Sequence, residues 1–260
     1  MTAILVGLAA VIGLAIGSFL NVVIWRVPRR ESVVRPASAC PGCGHLIRPR
    51  DNVPLLGWLM LRGRCRDCHC PISPRYPAVE AGTAGLFAGM AASLGPDAAL
   101  PAFLYLCALA VALALIDIDT HRLPDALTLP AYPASAALLA LGLVGHHGVA
   151  TFGRALAGGV AMFGLYAVLR VAYPAGMGFG DVKLAGVLGL YTAWVGWGAW
   201  SVGLFLGFFY GGLFGVVLIA LGRGGRKTRI PFGPFMLAGV LSGVFAGEWL
   251  VSAYLSLTAV

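Results

Sequence analysis

The sequence predicts an all-α polytopic membrane protein with about eight transmembrane helices and one long polar loop after the first helix. Three observations support this fold class: the composition, the length of the apolar runs and the placement of the basic residues. Of the 260 residues, 59% are hydrophobic and only 11% are charged, whereas about 25% are charged in an ordinary soluble domain. The apolar runs are also far longer than the ~10-residue segments of a transmembrane β-barrel.

Eight apolar runs approach or reach the ~20 residues that cross a bilayer. They cover residues 3–25, 79–96, 99–117, 127–145, 150–173, 183–199, 200–221 and 233–257. The first run has no basic residue before Arg26, so we interpret it as a retained helix, since a signal peptide carries its charge ahead of the apolar run. The boundary between the sixth and seventh runs depends on a turn around Trp197, Gly198, Trp200 and Ser201, without which there would be seven spans.

The basic residues decide between eight spans and seven. The loop 28–78 holds nine arginines against three acidic residues, and the loop 222–231 holds Arg223, Arg226, Lys227 and Arg229. With eight helices, both loops face the same side, which the positive-inside rule assigns to the cytoplasm, with both termini outside. The opposite turns near 97–99, 146–149 and 198–201 lack Lys and Arg, and Arg154 is the one basic residue near that side.

The net charge of +8 therefore has a location in the cytoplasmic loops. In a membrane protein such charge reports topology and attraction to anionic lipid, so we expect membrane lipid and no nucleic acid as its partner. The sequence divides into a first transmembrane helix at 1–27, a basic loop at 28–78 and a membrane domain of about seven helices at 79–260.

The loop contains two Cys-x2-Cys pairs, CPGCG at 40–44 and CRDC at 65–68, with 21 residues between them. Such pairs aim two thiolates each at one ion, and a spacer of about 15–20 residues is typical of four-cysteine zinc sites. A cytoplasmic loop is reducing, which argues against disulfides. A polar loop of ~50 residues also cannot bury enough core to fold without a metal or a bridge. We therefore predict a cytoplasmic zinc-binding loop, with Cys40, Cys43, Cys65 and Cys68 as ligands of a closed structural site.

Three further residues near these pairs offer donor atoms. Cys70 supplies a fifth thiol, and His45 and His69 supply ring nitrogens. We interpret all three as solvated loop residues. Cys107 lies inside an apolar run and is interpreted as a small core residue.

Two aspartates stand where polar loops meet apolar runs. Asp117 ends the third predicted membrane helix, and Asp181, in GMGFGDVKLAG, opens the sixth. With eight helices, both lie at the cytoplasmic face. Two neighbouring carboxylates share a proton, so one can act as a general base and the other as a general acid. That is the chemistry of an aspartic protease, but intramembrane acids also mark proton-coupled transport pathways, and the residues alone leave both functions open.

Helix capping and ion pairing are alternatives to catalysis for the acidic residues in these motifs. Asp125 follows Pro124 and precedes an apolar run, which favours a helix N-cap. Asp119 is two residues from Asp117 and points elsewhere on a helix. For Asp181, capping of its own helix and pairing with Lys183 both stay open.

The motifs, taken in order, resemble those of the type IV prepilin peptidases, the bifunctional leader peptidases and N-methyltransferases of pilus and type II secretion systems. The resemblance is carried by GSFLNVVIWRVP at 17–28, the cysteine stretch at 40–68, ISPRYPAVEAGTAG at 72–85, LIDIDTHRLPDALTLP at 115–130 and GMGFGDVKLAG at 176–186. The last block contains Gly-x-Gly-Asp, which is similar to a motif of presenilin-like intramembrane proteases.

The resemblance implies that Asp117 and Asp181 are the catalytic pair and that Cys40, Cys43, Cys65 and Cys68 are the loop cysteines. Cys70 departs from the family pattern, and Asp125 matches a Pro-Asp element whose role stays open. The implied activity is cleavage of the basic leader of prepilins or pseudopilins after a glycine, at the cytoplasmic face of the bacterial inner membrane. N-methylation of the new N-terminus by S-adenosylmethionine would follow, although the sequence has no separate signature for a methyl-donor site. The alternative function is a proton-coupled transporter with a zinc adaptor loop.

Overall fold

The computed structural model describes residues 2–174, 176–223, 225 and 230–258. Within these residues, eight long helices confirm the predicted all-α membrane fold, and a ninth, short helix lies in the polar loop. They are α1 (Thr2–Arg26), α2 (Leu56–Met60), α3 (Arg75–Leu94), α4 (Leu100–Thr120), α5 (Asp125–Ala140), α6 (Val149–Ala172), α7 (Phe179–Val195), α8 (Trp197–Ala220) and α9 (Gly233–Thr258). Short 3-10 helices cover Val27–Arg29, Pro49–Asp51 and Leu141–Val144.

Six helices in the described residues are long and apolar enough to cross a membrane by length and composition. They are α1, α4, α5 with its 3-10 extension, α6, α8 and α9. Of the two remaining long helices, α7 has only 17 residues. The prediction of about eight spans therefore agrees with the number of long helices, while the stricter criterion gives six.

The chain forms two compact units. The first comprises the described residues up to Pro96 together with Cys107–Ala112, and the second comprises Asp97–Leu106 and the described residues from Leu113 onward. In the first unit, α1 packs against α3 through small residues. A Cβ at Gly13 would lie 2.7 Å from the Cα of Ala84, and one at Gly17 would lie 2.7 Å from the Cα of Glu80. Glycine is required where membrane helices approach this closely.

In the second unit, α7 is packed by α5, α6, α8 and α9. Apart from Lys183, every residue from Asp181 to Trp194 is buried. The contact with α6 depends on glycines on both helices. A Cβ at Gly189 would overlap the backbone of Gly158 and lie 2.9 Å from the Cα of Gly159. The short helix α7 is therefore the centre of this unit.

The break between α7 and α8 falls at Gly196, one residue before the predicted turn began. The Arg154 guanidinium on α6 donates hydrogen bonds to the carbonyls of Ala193 and Trp194, both at 2.7 Å, and so satisfies the end of α7. Glu248 on α9 accepts a hydrogen bond from the first turn of α8, at the Ala199 N–H (3.1 Å). A Cβ at Gly196 would overlap the Glu248 carboxylate.

These two charged side chains explain why the apolar stretch forms two helices. Cations suit helix C-termini and anions suit N-termini, because unpaired carbonyls and amides remain there. The placement also explains why Arg154, the exception in the charge pattern, is tolerated at that end. Three basic residues of the second predicted loop, Arg226, Lys227 and Arg229, lie outside the described residues.

Substitution of Gly189 by alanine should destabilise the protein, because the new methyl group would meet backbone atoms that cannot rotate away. We expect a cost of about 1–3 kcal/mol, typical of an overfilled contact, measured as a lower midpoint of thermal unfolding in detergent by circular dichroism.

The matched control is Gly153→Ala on α6, where an added Cβ meets nothing within 4 Å. This variant should unfold at the wild-type midpoint or slightly above it. Equal midpoints for the two variants would mean that α6 and α7 do not depend on this glycine contact.

Candidate functional site

Asp117 lies in the last turn of α4 and is only 4% exposed. Its Oδ2 accepts a hydrogen bond from the backbone N–H of Gly233, the first residue of α9, at 3.0 Å. The helix ends at Thr120. The next residue, His121, caps it with a left-handed backbone (φ 51°) and donates its N–H to the Asp117 carbonyl at 2.8 Å. The carboxylate is therefore fixed between the end of one helix and the start of another.

Asp181 lies in the first turn of α7 and is 9% exposed. Its Oδ2 accepts the backbone N–H of Gly178 at 2.9 Å, while its own N–H donates to the Gly178 carbonyl at 3.2 Å. The proposed capping of its own helix is thus observed. An anion is stabilised at this position by the unpaired amides of a helix start.

Leu123, in the turn between α4 and α5, links the surroundings of the two carboxylates. A Cβ at Gly180 would lie 3.0 Å from the Leu123 Cβ. At Gly233, a Cβ would lie 2.8 Å from Asp117 Oδ2 and 3.3 Å from Leu123 Cδ2. Both glycines are therefore needed for the backbone to approach this close.

Leu123 brings the surroundings of Asp117 and Asp181 together, because Gly233, which binds Asp117, and Gly180, which precedes Asp181, both lie against it. In the described part of the chain, the amides of Gly233 and Gly178 are the hydrogen-bond donors found for them, and each donates to an Oδ2. The Oδ1 atoms are left for water or a substrate. Two carboxylates in one buried region cannot both ionise easily, so such a pair can take up one proton and release another.

Lys183 does not pair with Asp181; its Nζ lies 2.6 Å from Oδ1 of Asp125. Tyr132 on α5 also donates its hydroxyl to the Lys183 carbonyl at 2.6 Å. The interpretation of Asp125 as an N-cap was wrong, because α5 begins at this residue, Pro124 occupies the cap position, and no side-chain cap bond forms. The two contacts join α5 to the start of α7.

The four predicted zinc ligands come together in the first unit. One ligand atom from each of Cys40, Cys43, Cys65 and Cys68 lies within 4.8 Å of the others, so this group could hold a metal ion. The Sγ of Cys70 also lies 3.3 Å from that of Cys40. The distances alone therefore do not show which four of the five thiols would bind the ion.

The backbone distinguishes these thiols, because the two Cys-x2-Cys segments have the same turn geometry. Cys40 N–H donates to the His45 carbonyl and Gly44 N–H to the Cys40 carbonyl. The second segment repeats both bonds 25 residues later, from Cys65 to the Cys70 carbonyl and from His69 to the Cys65 carbonyl. Gly44 and His69 both have positive φ, 73° and 58°. By this correspondence, Cys68 matches Cys43, whereas Cys70 matches the non-ligand His45.

The hydrogen bonds of the loop favour a thiolate at Cys40, and an ion pair holds the loop conformation. A hydrogen bond from the Cys70 thiol and backbone bonds at Gly42 and Cys43 lower the pKa of Cys40 to about 6. Arg66 contacts both carboxylate oxygens of Asp51, at 2.8 and 2.5 Å, and this bond lowers the pKa of Asp51. Thiolates are the form that binds zinc.

Several residues of these sites were not foreseen. Gly233 begins the last helix with no polar signal of its own, so its bond to Asp117 could not be read from spacing. Asp125 and Lys183 are 58 residues apart, so their opposite charges were the one sequence feature that suggested an ion pair. Cys107 is buried in α4, as expected for a core residue.

Comparison with known proteins covers almost the whole chain. A family model described as the Bacterial Peptidase A24 N-terminal domain matches residues 11–94, and one described as the Type IV leader peptidase family matches residues 103–217. No solved structure matches the chain.

Proteins named prepilin leader peptidase/N-methyltransferase are similar to this chain, and three of them illustrate the match. The protein from Burkholderia pseudomallei (strain 1026b) is 37% identical over 267 residues, covering 92% of this chain and 84% of the relative. The Aeromonas hydrophila protein is 38% identical over 268 residues, covering 94% of this chain and 91% of the relative. The Pseudomonas aeruginosa protein is 36% identical over 276 residues, with the same two coverages. The chain therefore belongs to the type IV leader peptidase family, the family that its motifs predicted.

Proposed function

We propose that this protein is a membrane aspartic endopeptidase that cleaves the basic leader of type IV prepilins or pseudopilins after a glycine and then methylates the new N-terminus. The observation that carries the peptidase is the pair of buried carboxylates, Asp117 and Asp181. Each is held by a backbone amide at a helix start, and Leu123 lies against the glycines beside both, Gly233 and Gly180. Relatives with 36–38% identity bear the corresponding name.

In the proposed reaction the pair holds one proton. The ionised carboxylate takes a proton from water, and the resulting hydroxide adds to the scissile carbonyl. The protonated carboxylic acid then gives its proton to the leaving nitrogen as the C–N bond breaks, and the pair again holds one proton. Asp117 and Asp181 are not assigned separately as base and acid, because a coupled pair titrates as a unit.

The substrate chemistry follows from the membrane setting. A basic leader remains in the cytoplasm while the apolar helix behind it enters the bilayer, so the scissile bond lies at the cytoplasmic interface. By the positive-inside rule, we place loop 28–78, Asp117 and Asp181 on that side of the inner membrane, with both termini outside. Gly178 has no side chain, so an extended substrate backbone can approach Asp181 beside it, whereas the space beside Gly180 is occupied by Leu123.

The loop cysteines fit structural zinc. We propose Cys40, Cys43, Cys65 and Cys68 as the ligands, supported by the matching turns of the two Cys-x2-Cys segments. Zinc would contribute the folding energy that the small polar loop lacks. S-adenosylmethionine, the methyl donor implied by the family, is assigned to no residue of this chain.

A proton-coupled transporter would use the same acids, but membership of the peptidase family favours proteolysis. A transporter would also have to show substrate flux that depends on Asp117 and Asp181.

Asparagine at either position should abolish leader cleavage, because it removes the proton exchange and keeps the shape of the side chain. We expect Asp117→Asn and Asp181→Asn each to lower the cleavage rate at least about 100-fold. The assay is cleavage of a peptide with a basic leader and an apolar helix in membranes containing each variant.

Asp119→Asn is the matched control, since Asp119 is an exposed carboxylate two residues along the same helix. It should retain most of the wild-type rate. Full cleavage by either Asp117→Asn or Asp181→Asn would exclude the dyad.

Loss of the Asp125 charge should lower the cleavage rate much less than loss of Asp117 or Asp181. The Asp125 side chain is 60% exposed, and an exposed ion pair contributes about 0.2–1 kcal/mol, which is roughly a fivefold change at most. We therefore expect Asp125→Asn and Lys183→Gln to lower the cleavage rate by no more than about fivefold in the same assay. A loss as deep as that of the dyad variants would instead place Asp125 in the reaction.

Removal of one predicted zinc ligand should lower the bound zinc by one ion per chain. We expect this for Cys40→Ser and for Cys68→Ser, measured by elemental analysis of the purified full chain. Cys70→Ser should keep its zinc, because the turn geometry places Cys70 opposite a non-ligand position. Cys107→Ala is the control for thiol loss elsewhere. A zinc loss in Cys70→Ser equal to that in Cys68→Ser would contradict the proposed ligand set.

A further inference from the structure

A second group of metal-ligand side chains lies in the second unit, at the other end of α4 from Asp117. Asp97 precedes α4, and His146 and His147 precede α6. The Nε2 atoms of His147 and His146 lie 2.9 and 3.5 Å from Asp97 Oδ2. All three ligand atoms lie within 4.8 Å of one another.

The carboxylate is already oriented by the backbone. Asp97 Oδ1 accepts the N–H of Ala99 at 2.7 Å, which leaves Oδ2 to face the two histidines. The Asp97 side chain is only 12% exposed, so the residues packed around it limit its movement. A donor atom fixed in this way loses little freedom on binding an ion.

The histidines are held by ring packing. His147 lies against Trp194 at the end of α7, with ring centroids 5.0 Å apart, and His146 lies against His147 at 4.8 Å. Gly142 lets the Trp194 ring come close, since a Cβ there would lie 2.8 Å from Cη2 of that ring. The exposed ring of His146 keeps one side of the cluster open to water.

The spacing of these donors suits a small divalent ion. In a tetrahedral zinc site with bonds of about 2.0 Å, neighbouring donor atoms are about 3.3 Å apart, and the two observed distances to Asp97 Oδ2 lie on either side of this value. Two imidazoles and one carboxylate suit zinc, copper or nickel, whereas calcium and magnesium prefer an all-oxygen site. Three protein ligands leave the fourth position for water.

We propose that Asp97, His146 and His147 form a second metal site, for a divalent cation of the zinc class, distinct from the cysteine cluster. A bound ion would tie the segment before α4 to the segment before α6. Through His147 and Trp194 it would also brace the end of α7. The proposal is independent of the peptidase activity, since none of these residues belongs to the carboxylate pair or to the zinc loop.

The competing explanation is that Asp97 only caps α4 and pairs with a histidine. The two explanations differ in metal content. We would equilibrate the purified full chain with zinc chloride, remove the excess and count the zinc per chain by elemental analysis. Wild type should retain one more zinc than Asp97→Asn or His147→Gln. The Asp97→Asn variant keeps an oxygen for the Ala99 N–H, so loss of the fold is not expected.

Two controls locate the ion. His45→Gln, which changes an exposed histidine outside the cluster, should leave the zinc count unchanged. Cys40→Ser should lose the zinc of the loop and still lose one more when combined with Asp97→Asn. An equal zinc count in wild type, Asp97→Asn and His147→Gln would overturn the proposal.

Thermal stability gives an independent readout. Zinc at about 100 times its dissociation constant should raise the unfolding midpoint of Cys40→Ser by about 5–10 °C. The increase should vanish when Asp97→Asn or His147→Gln is added to this background. An undiminished increase in those double variants would also overturn the proposal.

Discussion

A carboxylate removed from water must be hydrogen-bonded or neutralised, and this constraint governs the central part of the structure. Asp117 and Asp181 each meet it with the backbone amide of a glycine at a helix start, Gly233 and Gly178. The beginnings of α7 and α9 must therefore lie beside the carboxylates that they stabilise. Among the residues that the structure describes, the amides engage Oδ2 alone. One oxygen of each carboxylate therefore stays available, which reconciles the structural role of these acids with a chemical one.

The same rule operates at the opposite end of α7. The Arg154 guanidinium satisfies its last carbonyls, and the Glu248 carboxylate accepts an amide at the start of α8. The carboxylates of Asp117, Asp181 and Glu248 and the guanidinium of Arg154 thus each meet a helix end, where unpaired backbone groups of opposite polarity compensate them. The break at Gly196 exists because two charged partners and one missing Cβ coincide there.

Local signals were enough to predict most of the fold and part of the site. Long apolar runs fix the number of helices, and the Cys-x2-Cys spacing identifies the cysteine cluster, because both patterns depend on neighbours along the chain. The role of Asp125 was predicted wrongly because Lys183 reaches it only after α5 and α7 pack together. Gly233 was missed for the same reason. The cluster around Asp97 was overlooked because its histidines are distant in sequence, His147 being 50 residues away.

The buried environment of α7 connects the packing to the site. Asp181 opens this helix, and a catalytic group has to be held within about 0.5 Å of its productive position. Lateral movement is limited because Gly189 brings α7 into backbone contact with Gly158 of α6. Axial movement is limited by bonds from other helices, from Arg154 on α6 to the last carbonyls and from the Tyr132 hydroxyl on α5 to the Lys183 carbonyl near the start. The close packing that Gly189 allows therefore both buries α7 and helps to hold the carboxylate of Asp181 in place.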